Sequence, residues 1–136
     1  MFNNSRCTAE WVIPNKLARS CRPGYPHENV RKSDAIKWIE CVNERLDILP
    51  KTIITFLTDD ELKLFYTFDL IEFYNKFKIQ VFRIPTQDPF YNGNVPFTRE
   101  QLQDIKKLID QAEKPVLIHC SAGVDRTGAV VRYIKQ

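Results

Sequence analysis

The sequence predicts an α/β domain in which a largely parallel central sheet is flanked by helices. Three observations carry this. Short β-branched or apolar runs, Lys51 to Leu57, Ile79 to Ile84 and Val116 to Ile118, alternate with stretches of helical periodicity. At Thr58-Asp59-Asp60-Glu61 and Thr98-Arg99-Glu100-Gln101 the spacing is that of a capping box, which marks the start of a helix. Finally, 136 residues with 43% hydrophobic and 27% charged side chains suit one ordered core rather than two, so a single domain spanning 1–136 is expected.

Taken in order, Trp11-Val12-Ile13 and Lys16 to Ser20 read as two short extended pieces around a Pro14-Asn15 turn. Pro23, Gly24 and Pro26 then impose a loop. Ser33 is placed to cap a helix in which Ile36, Ile39, Val42 and Leu46 recur near helical spacing before Pro50, and which should lie against the sheet. Lys51 to Leu57 is a strand that hands over to the helix capped at Thr58. A further helix from about Thr67 to Phe77 precedes the strand Ile79 to Ile84, which ends at Pro85. Behind Thr98, the residues Leu102, Ile105, Leu108, Ile109 and Ala112 form the apolar stripe of another helix, closed by Pro115. Val116 to Ile118 is a buried strand, and Thr127 to Lys135 resumes a helical pattern.

Composition excludes several classes of function. A formal charge of +3 and a pI near 8.7 fall short of the basic stripe of a dedicated nucleic-acid binder and favour an anionic substrate only weakly. No run approaches the roughly 18 apolar residues of a membrane span, and the N-terminal residues lack the apolar core of a signal peptide. A soluble, intracellular, cytoplasmic protein is the expectation. Cys7, Cys21, Cys41 and Cys120 show no C-x-x-C spacing and are expected as free thiols. His119 and Cys120 should point to opposite faces of a strand end, so neither a metal nor another cofactor is expected.

The segment His119-Cys120-Ser121-Ala122-Gly123-Val124-Asp125-Arg126-Thr127-Gly128 joins a buried strand to a helix. In that setting its backbone N–H groups converge at a helix N-terminus, where orphan donors and the helix dipole attract an anion such as phosphate. The same field favours the thiolate of Cys120, the form that attacks phosphorus. Arg126 returns over the loop with a planar fork of donors suited to two phosphate oxygens. Gly123 permits backbone torsions closed to other residues. Thr127 is placed to cap the helix or to donate its hydroxyl to the Cys120 sulfur. Gly123 and Gly128 have Walker-type spacing, but Ala129 and Val130 stand where a nucleotide-binding loop needs Lys and Ser or Thr, so an ATPase is excluded. Read structurally, Cys120 would be a small buried hydrophobe and Arg126 a surface cation, a reading that the whole decapeptide disfavours.

Ester cleavage also needs a proton for the leaving oxygen and then a base for water, and one carboxylate serves both. In a parallel sheet the C-terminal strand ends share an edge, so Asp88, just after Ile79 to Ile84, should face the Cys120 loop. Its bland alternative is a turn residue ahead of Pro89. Asp59 and Asp60 are reserve candidates. Asp125 either sets the pose of Arg126, biases substrate choice or is a solvated loop charge. Arg22 is treated as a surface arginine outside the site, and Cys21 or Cys41 as buried thiols, with a protective disulfide to Cys120 under oxidation as the less favoured reading.

His119 to Gly128 resembles the signature of the protein tyrosine phosphatase superfamily, and the compact size and order of elements, over about residues 11 to 136, are most similar to its dual-specificity branch. The resemblance implies a phosphocysteine at Cys120, phosphate binding by Arg126 and by the amides of Ser121, Ala122, Gly123, Val124, Asp125 and Arg126, an acid in the loop that holds Asp88, and His119 buttressing from below. It implies a phosphorylated protein as partner, with phosphotyrosine and also phosphoserine or phosphothreonine accepted. An RNA 5′-triphosphatase, which alone would bring nucleic acid as partner, and a phosphoinositide phosphatase reuse the same loop. Some lipid-directed members share the Asp before the Arg, but they often carry Lys where this chain has Val124. A phospho-binding pseudophosphatase is the reading from another class. The family continues through further helices beyond the position of Gln136, so Val130, Val131 and Ile134 are expected to present an apolar face that lacks its usual cover, in a shortened chain, in a minimal natural version of the domain, or with a partner burying it.

Overall fold

The computed structural model describes residues 6–88 and 95–136. Two short strands open it, β1 (Glu10–Ile13) and β2 (Leu17–Ser20), followed by helix α1 (Lys32–Leu46) and β3 (Thr52–Thr55). Then come α2 (Asp59–Phe65), α3 (Leu70–Lys76), β4 (Gln80–Arg83), α4 (Arg99–Gln111), β5 (Val116–His119) and α5 (Asp125–Ile134). The five strands lie in the order β1-β2-β5-β3-β4, with β1 antiparallel to β2 and the other three pairings parallel. This is the α/β architecture expected from the alternation of β-branched runs and helical stripes.

Neighbouring residues of the inner strands part to opposite faces, as the pleat requires. Ala18, Ile53 and Leu117 join Trp38, Val42, Phe73 and Tyr74 of α1 and α3 in one core. Leu17, Ile54, Val116 and Ile118 join Ile105, Ile109, Val130 and Val131 of α4 and α5 in the other. These strands are buried on both faces, which explains why they read as continuous apolar runs rather than as alternating ones.

Helix boundaries show where local chemistry prevailed. Helix α1 starts ahead of Ser33, because Asp34 in the first turn accepts from the Arg31 N–H (3.2 Å). Helix α3 starts after Thr67, at Asp69, whose carboxylate accepts from the Glu72 N–H (3.0 Å). Both predicted capping boxes form, at Thr58 with Glu61 and at Thr98 with Gln101.

Two expectations are corrected. Cys7 and Cys41 form a disulfide, Cα to Cα 6.0 Å, because the segment before β1 runs along the second half of α1; Cys21 and Cys120 are free. The apolar side of α5 is covered within the chain: Val130 and Val131 are buried and Ile134 half-buried where α5 meets α4 and the sheet. No partner is needed to cover it. Among the described residues no helix is long and apolar enough to cross a membrane.

The register sets up the site. Ser20 and Thr55 both pair with His119, so β2, β3 and β5 end level and their following loops gather at one edge.

Candidate active site

Cys120 is the first residue past β5 and is buried at the base of the loop that leads into α5. The loop carbonyls accept hydrogen bonds, two of them from outside the loop. Ser121 O accepts from the Arg22 N–H (2.9 Å), Gly123 O from Arg19 Nη2 (2.7 Å) and Val124 O from the Gly128 N–H (2.8 Å). The N–H groups of Ser121 to Arg126, in contrast, donate to no protein acceptor among the described residues. A cluster of unspent donors at the start of a ten-residue helix is a ready receptor for an oxyanion. Gly123 makes the curve possible: its φ is +80°, and a Cβ there would stand 2.6 Å from the Ser20 carbonyl oxygen.

Arg126 is fully buried. Its Nη1 donates to Glu61 Oε1 (2.7 Å), Thr86 O (2.8 Å) and Phe56 O (3.3 Å), and its Nη2 donates to Glu61 Oε2 (2.9 Å). Asp88 Oδ2 lies 3.7 Å from Nη2. Nε is buried and has no protein partner, so its N–H is unspent. Burial opposes the charge of Arg126, but the hydrogen bonds and charge of Glu61, then Cys120 and Asp88, outweigh it, so its pKa lies above the ordinary value. Burial likewise pushes the Glu61 carboxyl up, and the Arg126 and Thr58 hydrogen bonds with the Arg126 charge bring it below its ordinary value of 4.5.

Glu61 was not singled out for the site from sequence. Its signal was present in the capping box: Oε1 accepts from the Thr58 N–H (2.9 Å), and both oxygens then face Arg126. The box announces the helix start but not what approaches the carboxylate's other side.

His119 is sealed below the loop, its Nδ1 3.0 Å from Cys120 O and its Nε2 2.9 Å from the Tyr74 hydroxyl. Burial lowers its pKa from 6.5 to about 4, against the Cys120 carbonyl and with help from Arg22 and Arg126. A neutral ring donates from Nδ1 to the carbonyl, which only accepts, and so accepts at Nε2 from Tyr74.

The other sequence candidates divide. Asp88 stands beside Arg126, at the edge where its strand position places it. Asp59 is turned away into an ion pair with Arg83 (2.8 Å), and Asp60 is exposed. Asp125 is exposed in the first turn of α5, where its charge suits the helix dipole. The Thr127 hydroxyl makes neither expected bond: it is buried without a partner, and Val124 occupies the cap position. Arg22, read as a surface arginine, is buried against Ser121. Alongside the loop runs a groove of about 500 Å3 lined by Thr8, Glu10, Arg19, Arg45 and Ala122 to Val124. Among the described residues no group of His, Cys, Asp or Glu is arranged to hold a metal.

Unspent main-chain amides, the unspent Nε of Arg126 and the Cys120 sulfur belong to one loop, with the Asp88 carboxyl beside Arg126, a set of groups whose chemistry suits a tetrahedral oxyanion. Comparison with known proteins agrees with that chemistry. The family model described as "DSP-PTPase phosphatase fused to NAD+ Kinase" matches residues 38–136. No curated protein matches the chain. Among solved structures, the core catalytic domain of the PP-IP phosphatase SIW14 from S. cerevisiae, in complex with citrate, superposes with a TM-score of 0.63 at 23% identity, over 93% of this chain and 64% of that one. A second structure of the Siw14 catalytic core gives a TM-score of 0.63 at 19% identity, over 92% and 63%. The chain thus spans just under two thirds of either, and these likenesses establish a shared fold.

Proposed function

Because the chain belongs to the phosphatase family described as DSP-PTPase phosphatase fused to NAD+ kinase, we propose that residues 1–136 act as one domain hydrolysing phosphate monoesters through a phosphocysteine at Cys120. The supporting observation is the loop itself: unspent amides surround a buried cysteine, and the buried arginine beside it keeps Nε free while Glu61 holds the rest of its fork.

In the first step the Cys120 sulfur attacks phosphorus, the S–P bond forms, and the ester P–O bond breaks. Asp88 gives its proton to the departing oxygen. In the second step water attacks phosphorus, Asp88 as carboxylate takes the water proton, and the S–P bond breaks to return the thiolate and free phosphate. The amides of Ser121 to Arg126 and the guanidinium of Arg126 stabilise the equatorial oxygens in both transition states.

The experiment is hydrolysis of an aryl phosphate by the wild type and by Cys120→Ser, with and without a chelator. Turnover lost in Cys120→Ser, with oxyanion binding retained and no effect of the chelator, is the expected result. Turnover that survives the substitution sinks the mechanism. A wild type that binds oxyanions without turnover makes the domain a phospho-binding module instead.

Phosphorylated protein side chains, phosphotyrosine and also phosphoserine or phosphothreonine, are the first substrate reading. A second reading, a small molecule carrying several phosphates, is favoured by the groove beside the loop, where Arg19 and Arg45 meet no carboxylate within 4.0 Å among the described residues. The shared fold with a PP-IP phosphatase points the same way. A panel of phosphopeptides, an inositol pyrophosphate, a phosphoinositide and triphosphorylated RNA separates them by kcat/KM.

A further inference from the structure

The loop has a second buried cation. Arg22 is 1% exposed and, like Arg126, ranks among the largest side chains sealed in the molecule. Its Nε donates to Ser121 Oγ (3.1 Å), its Nη2 to His27 O (2.8 Å) and its Nη1 to Pro23 O (3.4 Å). Its own N–H donates to Ser121 O, so one residue grips Ser121 by main chain and side chain together. The guanidinium carbon lies 3.6 Å from the centre of the Phe65 ring, with Tyr25 and Tyr66 at 5.7 and 5.8 Å.

The two arginines differ in compensation. Arg126 faces Glu61 and Asp88, whereas no carboxylate lies within 4.0 Å of Arg22 among the described residues. Ring faces and carbonyl dipoles supply partial charge only, and a buried ion without a full counter-charge is costly to the fold. A fold retains such a charge at a phosphate loop if the missing negative charge arrives with the ligand.

We propose that Arg22 is a positioning residue of the phosphate site: it fixes Ser121 in the anion-binding loop, and its charge, unbalanced in the fold, is balanced by the dianion that the loop binds. Binding is thereby coupled to a cation that never touches the ligand. At the effective permittivity of a protein interior, a unit charge about one side chain away is worth roughly a tenfold change in affinity for each charge on the anion.

The inference rests on the phosphate-site reading above, and tungstate binding tests it without relying on turnover. Calorimetric affinity for tungstate, and the melting temperature with and without it, are measured for wild type, Arg22→Met, Arg22→Lys and Ser121→Ala. Expected is a loss of about tenfold or more in tungstate affinity for Arg22→Met, with an anion-free melting temperature no lower than wild type and a smaller rise on adding tungstate. Arg22→Lys, which keeps the charge but not the fork, should stay closer to wild type, and Ser121→Ala should lose less than Arg22→Met. If Arg22→Met binds tungstate as the wild type does, or melts lower or fails to fold without anion, the cation serves the fold and the inference is overturned. A wild type that binds no tungstate instead sinks the phosphate-site reading itself.

Discussion

The carboxylate of Glu61 and the guanidinium of Arg126 meet at two points, Oε1 to Nη1 at 2.7 Å and Oε2 to Nη2 at 2.9 Å. Because Oε1 also accepts from the Thr58 N–H, the first turn of α2 is a bracket that orients the arginine of the loop. Glu61→Gln keeps the shape but turns an amide NH2 toward the guanidinium. Kinetics of this variant should show kcat/KM reduced by about 10- to 100-fold, the scale of a misplaced positioning group. An activity equal to wild type removes Glu61 from the site.

Asp88 lies 3.7 Å from the same guanidinium, and among the described residues Glu61 is the other carboxylate that pairs with it. If it supplies the leaving-group proton, Asp88→Asn must hurt poor leaving groups most. An alkyl phosphate should slow by about 10²- to 10⁴-fold, while p-nitrophenyl phosphate, whose leaving group needs no proton, slows far less. Equal losses on both substrates assign Asp88 to holding Arg126.

The Cys7–Cys41 disulfide closes a loop with a sequence separation of 34 residues and ties the segment before β1 to α1. In the chain-entropy account a loop of this length is worth about 3–4 kcal/mol. Cys7→Ser, or reduction with dithiothreitol, should lower the denaturation midpoint accordingly while leaving the Cys120 loop intact. An unchanged midpoint means the two thiols are not bonded in solution.

How much of this was legible depended on the range of the physics involved. Strands β3 and β5 announced themselves because both faces of each are buried, which leaves a local apolar run, and the half-buried edge strand β4 did so through Val81 and Phe82. The loop was legible because Cys120, Gly123 and Arg126 lie in one short stretch of chain. The pairing of Cys7 with Cys41 depends on how α1 packs, and nothing within either segment encodes it. Arg22 misled for a related reason: its carbonyl acceptors are local, but the Phe65 ring that seals it comes from α2. Glu61 stands between, with a legible cap and an illegible partner.

His119 carries the last prediction, one of stability against pH. Folded, it takes a proton only near pH 4, because burial disfavours the charged ring and the charges of Arg22 and Arg126 add to that, outweighing the Cys120 carbonyl. Unfolded, it takes that proton near pH 6.5. Between these values the unfolded chain holds more protons, so stability is fully present above pH 6.5 and is lost as pH falls toward 4, by about 3 kcal/mol in total. Glu61, with its depressed carboxyl, adds a further loss only below about pH 4.5. Urea unfolding at pH 7.5, 6 and 5 should therefore show a falling midpoint in the wild type and a flatter profile in His119→Gln, which keeps a donor and an acceptor but cannot titrate. Parallel profiles for the two proteins would mean that a different group drives the acid loss.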